Sequence, residues 1–213
     1  MAYGSFLTNL DDREAARTQW KLALKNDPDN AAALNNIATH IGTIALRNEI
    51  TDQLPTAFRS QQKAIRLAPK QALYRHNFAT MLNTFPKEAC THLKVNERQL
   101  TQRALRELKT AMTLAPVDFE IAADYAETFL DLIPFPHARA IAAWKNAAAL
   151  AKRPEEQDWA HLQMAVAHLK SSHWKEAELT VQQIRPGAHA PLVKQLKIAI
   201  AAHRKRATKP KAP

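Results

Sequence analysis

Glycine is scarce in this chain: Gly4, Gly42 and Gly187 are the only three in 213 residues. So few glycines exclude a Gly-rich phosphate loop and any fold built on many tight hairpins, because both need positive φ angles. Cysteine is scarcer still. Cys90 stands alone, which rules out an intrachain disulfide and a multi-cysteine metal site. One thiol is compatible with either redox compartment. Apolar runs are short, none approaching the roughly 18 residues that cross a bilayer. Met1–Leu10 has neither the basic start nor the apolar centre of a secretory leader. These absences set a soluble, cytoplasmic default. Acidic residues are also in deficit, 20 against 30 Lys and Arg, for a net charge of +10. Half of that excess sits in residues 203–213, where Arg204, Lys205, Arg206, Lys209 and Lys211 meet no acid.

What remains is rich in Ala, Leu, Lys, Glu and Gln, all good helix formers, and 12 prolines are scattered among them. That pattern describes helices punctuated at their ends. One phrase recurs: a small residue, three residues, a bulky one, two residues, Ala, four residues, Pro. It reads Ala16, Trp20, Ala23, Pro28, then Ala57, Gln61, Ala64, Pro69, with a polar residue in the bulky slot. It returns as Ala104, Leu108, Ala111, Pro116. A fourth copy, Ala140, Trp144, Ala147, has its proline late at Pro154, and a fifth reads Ala177, Val181, Ile184. Between the phrases lie further helical stripes: Leu34, Ile37, Ala38 and Ile41; Tyr74, Phe78, Ala79 and Leu82; Ala122, Tyr125, Ala126 and Phe129. Spacings of three and four put each set on one helix face. A small residue beside a bulky one lets a neighbouring helix approach closely.

In these phrases residues 1–185 resemble the tetratricopeptide repeat (TPR) family, whose units are helix pairs of about 34 residues. The fifth unit adds Ala165, Trp174, Glu176 and Ala177, with His168 and Ser172 in the slots where the family usually has an aromatic and a glycine. Tyr3, Gly4 and Leu7 match the slots of a first helix, and Asp11 and Glu14 a cap for the second. The array thus starts inside a repeat, which leaves room for a missing leader upstream. The resemblance implies an all-α fold, a right-handed α-solenoid of about five helix pairs. A capping helix is expected over 186–203, with Leu192, Leu196 and Ile200 as its apolar stripe, and a disordered basic tail over 204–213. Successive phrases are 41, 47, 36 and 37 residues apart, which places insertions near 45–54 and 83–96. The second holds Phe85, Cys90, His92 and Leu93, and is expected to fold back as a short extra helix.

The resemblance also implies a function: protein or peptide recognition, without catalysis, in a concave groove lined by the first helix of each pair. Carried over, the groove positions are Asn35, Asn36 and Thr39, then His76, Asn77 and Thr80, then Glu120, Asp124, Glu127 and Asp131. Asn side chains can pair with an extended peptide backbone, and the four acids form a stripe that attracts a basic ligand. The competing reading of that stripe is a solvated helix face. A clamp for acidic chaperone tails is excluded, because Glu120 and Asp124 stand where it needs cations. The alternative function is nucleic-acid or anionic-surface binding by the basic tail. No aromatic interleaves those cations, so base stacking there is not expected. His161 and His168 lie seven apart, a poor zinc spacing, and no metal or cofactor is expected. None of the four serines sits in a nucleophile elbow, and the proximity of His92 to Cys90 in sequence fixes no geometry.

Overall fold

The structure is a computed structural model and describes residues 13–207. Among the described residues it is an all-α helical repeat with no strand, in two compact units that divide between Pro116 and Val117. In the first, α1 (Arg13–Asn26), α2 (Ala31–Asn48), α3 (Leu54–Leu67) and α4 (Ala72–Thr84) are followed by a short α5 (Pro86–Leu93) and by α6 (Glu97–Leu114). In the second, α7 (Phe119–Glu127) tightens into a 3-10 turn (Thr128–Asp131), and α8 (His137–Leu150), α9 (Pro154–Lys170), α10 (Trp174–Val181) and α11 (Ala190–Ala207) follow.

The recurring phrase explains both burial and helix ends. Ala16, Ala57, Ala104, Ala140 and Ala177 all have zero exposure, and the partners Trp20, Gln61, Leu108, Trp144 and Val181 are buried beside them. The terminal proline acts on the residue before it. In three repeats that residue donates its N–H to the carbonyl of the second Ala: Asp27 to Ala23 at 2.8 Å, Ala68 to Ala64 at 2.9 Å and Ala115 to Ala111 at 2.8 Å. Ala68 and Ala115 then leave helical space, at φ −133°, ψ 71° and φ −134°, ψ 74°, because the following proline ring disfavours the α region there. The next helix starts on a polar cap in two cases. Asn30 accepts from the Ala33 N–H at 3.0 Å and Asp118 from the Ile121 N–H at 3.1 Å.

Within the first unit, α2 packs on α1, α3 and α4, and α4 packs on α6. The Arg75–Glu107 ion pair, 2.7 Å and half-buried, ties α4 to α6. Helix α5 fills most of the insertion expected at 83–96. It packs on α3, α4 and α6, burying Phe85 and Ala89 and stacking His92 on Phe58 with ring centroids 5.4 Å apart. His92 is therefore committed to Phe58. Burial, followed by Glu97, raises the Cys90 thiol above its ordinary value. Around 45–54 the extra length is mostly helix, since α2 runs on to Asn48. The first-helix positions Tyr3, Gly4 and Leu7, and the cap residue Asp11, lie outside the described residues.

In the second unit α9 packs on α8, α10 and α11. Asp158 on α9 is buried, and it accepts from the Arg185 N–H at 2.9 Å and from Arg185 Nε at 2.7 Å. Burial alone would raise the Asp158 carboxyl; these bonds outweigh it and hold the group below its usual range.

Two expectations for the C-terminal region need correction. Leu192 is not in the apolar stripe of the last helix. It is exposed, and the buried side is Val193, Leu196 and Ile200, packed on Leu162, Val181 and Ile184. Arg204, Lys205 and Arg206 are not in a disordered tail, because α11 continues to Ala207. They are strong helix formers and sit in the last turn, where the helix dipole favours cations. Lys209 and Lys211 lie outside the described residues.

Ser172 occupies the slot expected for glycine, and the backbone shows why glycine suits it. Its φ is 61°, the left-handed C′ position that closes α9. The Ser172 N–H donates to Leu169 at 2.9 Å and the His173 N–H to His168 at 2.9 Å, a Schellman pair. A side chain in this conformation costs about 1–2 kcal/mol, partly offset by the greater chain entropy of glycine. Ser172→Gly is therefore expected to raise stability in urea unfolding by about 0.5–1 kcal/mol; a loss would contradict this assignment.

Candidate binding surfaces

Helices α2 and α4 lie side by side in the first unit, and their facing residues carry most of the amides picked out by sequence. The arrangement begins with Gln61 on α3. Gln61 is fully buried, and its Nε2 donates to Asn35 Oδ1 at 2.9 Å and to the Tyr74 carbonyl at 2.7 Å, while its Oε1 meets no protein partner. Asn77 Nδ2 donates to the same Asn35 oxygen at 2.9 Å, and Asn35 Nδ2 donates to Asn36 Oδ1 at 3.1 Å. Asn35 is thus 3% exposed and occupied on both sides of its amide. Its expected role as a ligand for a bound peptide is corrected: it is a buried bracket that joins α2, α3 and α4. Asn36 and Asn77 are half-buried beside it. Thr39 is exposed and donates its hydroxyl to the Asn35 carbonyl at 3.0 Å.

Beyond this bracket, α2 and α4 part to leave a cleft of about 170 Å³. Thr39, Asn77 and Thr80 give it a polar wall, and Met81, Phe85 and Leu46 an apolar one. Met81 and Phe85 are buried in its floor, whereas Leu46 is 65% exposed at its lip. Gly42 lines the cleft beside Met81 and Phe85. His76 is half-buried on the same helix as Asn77 but does not line the cleft.

In the second unit the acids Glu120, Asp124, Glu127 and Asp131 follow one another along α7 and its 3-10 extension. Glu120, Glu127 and Asp131 are exposed and Asp124 is half-buried. They do act on one another. The Glu127 carboxyl is raised above its ordinary value, first by the protein atoms crowding it, then by Asp124 and Asp131. The stripe is a local concentration of negative charge on a protein of positive net charge.

A histidine cluster that no spacing within one helix reveals lies in the second unit, around His168, which the sequence places seven residues from His161. The partners of His168 are instead His137 and His173. His137 Nε2 lies 3.1 Å from His168 Nδ1, and His137 stacks on His173 at 4.3 Å with planes 4° apart. Burial lowers the pKa of His137 and His168, and the neighbouring imidazoles lower it further. The rings pack against one another as aromatics, His168 filling a slot that usually holds an aromatic. Among the described residues no group of three or more His, Cys, Asp or Glu is placed to hold a metal ion. No described helix is long and apolar enough to cross a membrane.

No family model matches the sequence, and no curated protein matches it. Solved structures do. MamA is 20% identical, with alignment over 98% of this chain and 99% of its own and a TM-score of 0.63. A thermophilic TPR protein of Thermus thermophilus is 19% identical over 96% of both chains, with a TM-score of 0.59. YrrB, a TPR protein with an unusual peptide-binding site, is 15% identical over 96% of this chain and 89% of its own, with a TM-score of 0.64. At these identities the likeness is one of fold.

The cleft yields a test of its own geometry. A Cβ on Gly42 would lie 3.7 Å from Met81 Cε and 3.8 Å from Phe85 Cε2, ordinary contact distances. Gly42→Ala is expected to stabilise the protein by about 0.5–1 kcal/mol through helix propensity, read by urea unfolding. A destabilised variant would mean that the cleft is tighter than described.

Proposed function

The chain has the tetratricopeptide repeat fold, and from that premise we propose that it is a protein- and peptide-binding scaffold. The observation that carries the reading is the cleft between α2 and α4. It combines hydroxyl and amide groups on one wall with apolar side chains on the other, as a site needs if it is to hold a backbone and select a side chain. The amide bracket behind it supports the same reading, because a rigid wall loses little entropy when a ligand binds. A single medium-sized apolar side chain fits a cavity of this size, with neighbouring peptide groups meeting Thr39, Asn77 and Thr80. The unusual peptide-binding site of YrrB is consistent with such a use of the fold. The acidic stripe on α7 is a second patch in this reading, and it takes Lys or Arg from a partner.

The test is affinity capture from the source organism's lysate with four proteins of matching circular dichroism: wild type, Leu46→Glu, the Glu120→Lys, Asp124→Lys, Glu127→Lys triple variant, and Arg204→Ala, Lys205→Ala, Arg206→Ala. A discrete partner lost with Leu46→Glu is the expected result, and loss with the triple variant as well assigns the stripe a basic ligand. Equal capture by the first three, with loss in the last and a steep fall in salt, would transfer binding to the basic end of α11 and refute the cleft.

A further inference from the structure

The second unit has a larger concavity with no role in that reading. It lies between α10, the connection over 182–189 and α11, and its volume is about 560 Å³, within the roughly 300–1,000 Å³ typical of binding pockets. Val181 and Ile184 form its floor and belong also to the apolar core under α11. Val193 and Ile198 line the side given by α11, and Ile198 is 62% exposed. Lys194 and Lys197, both exposed, stand on the rim. The whole of α11 carries no Asp or Glu, while Arg204, Lys205 and Arg206 crowd its last turn.

We propose that this cleft is a docking site for an acidic amphipathic helix of a partner protein. The shape comes from the repeat itself. Within this unit α9 packs against α8 and α10, and α10 against α9 and α11. Two packed helices of a stack present a groove suited to a third. At α10 and α11 that groove is left open by the described residues, with core side chains reaching its floor. The charge decides which helix enters. Apolar residues at a spacing of three and four would meet Val181, Ile184 and Ile198, and flanking Glu or Asp would meet Lys194 and Lys197. A bilayer fits less well, because the apolar atoms lie inside a concavity, whereas interfacial helices offer a convex apolar face. Nucleic acid fits less well again, since phosphates gain nothing from an apolar floor.

The experiment uses the full chain and a fluorescein-labelled peptide of Leu and Glu that is amphipathic as a helix. A second peptide has the same composition, scrambled so that its leucines share no face. Anisotropy titration is expected to show saturable binding of the first and at least about tenfold weaker binding of the second. Ile198→Glu, at an exposed position, is expected to weaken the first by about tenfold or more. The Lys194→Glu, Lys197→Glu variant should lose the acidic peptide and gain its Lys counterpart, a reversal that a misfolded protein would not show. Equal binding of the two peptides, or indifference to Ile198→Glu, would reduce the effect to general charge attraction and overturn the proposal. So would binding of phosphatidylserine vesicles without peptide binding. Concentration-dependent dimerisation of the protein alone, abolished by Ile198→Glu in sedimentation, would make the occupant a second copy and overturn it too.

Discussion

Close contact between helices at alanine is what the rest of this structure depends on. Ala57, Ala104, Ala140 and Ala177 each put only a methyl group on the helix face, and all four are fully buried. The residue one turn later then reaches across to fill the adjoining space, as Trp144 and Leu108 do without any exposed surface. A helix pair alone cannot cover both its faces, so the contact is useful only if another helix is stacked on it. In three repeats a proline supplies the remaining constraint, ending the helix at a fixed distance from the second alanine.

The same slot has a different consequence in one repeat. Gln61 stands where the others have Trp, Leu or Val, and a buried amide imposes conditions that a hydrocarbon does not. It recruits Asn35 and the Tyr74 carbonyl, and Asn35 recruits Asn77. A departure from the core pattern thus fixes the wall of the cleft between α2 and α4. Packing and the candidate binding surface are linked here through hydrogen bonds whose loss would leave polar groups stranded.

The alanine slots, the helix stripes and the glycine-like character of position 172 were legible in the sequence, because each follows from local spacing. Side-chain partnerships across helices were not. Asn35 looks like a groove amide by position, yet it is buried, and the only sequence signal was the polar residue at Gln61. The cluster of His137, His168 and His173 joins residues from α8, α9 and the turn after α9, so no periodicity within one helix shows it. Leu192 and Leu196 are equally apolar on paper; the direction from which α9 and α10 approach α11 leaves the first outside. Arg204 to Arg206 resemble a loose tail by charge alone, but helix propensity and the dipole carry α11 through them.

Ala140 and Ala142 on α8 allow the most direct measurement. Ala140 is fully buried and Ala142 is exposed, two residues away on the same helix. Leucine is introduced at each position and stability is read by urea unfolding. Ala140→Leu should lose about 1–3 kcal/mol from overpacking, while Ala142→Leu should stay within about 0.5 kcal/mol of wild type. If both variants keep wild-type stability, close approach at the alanine slots is not what holds the repeats together.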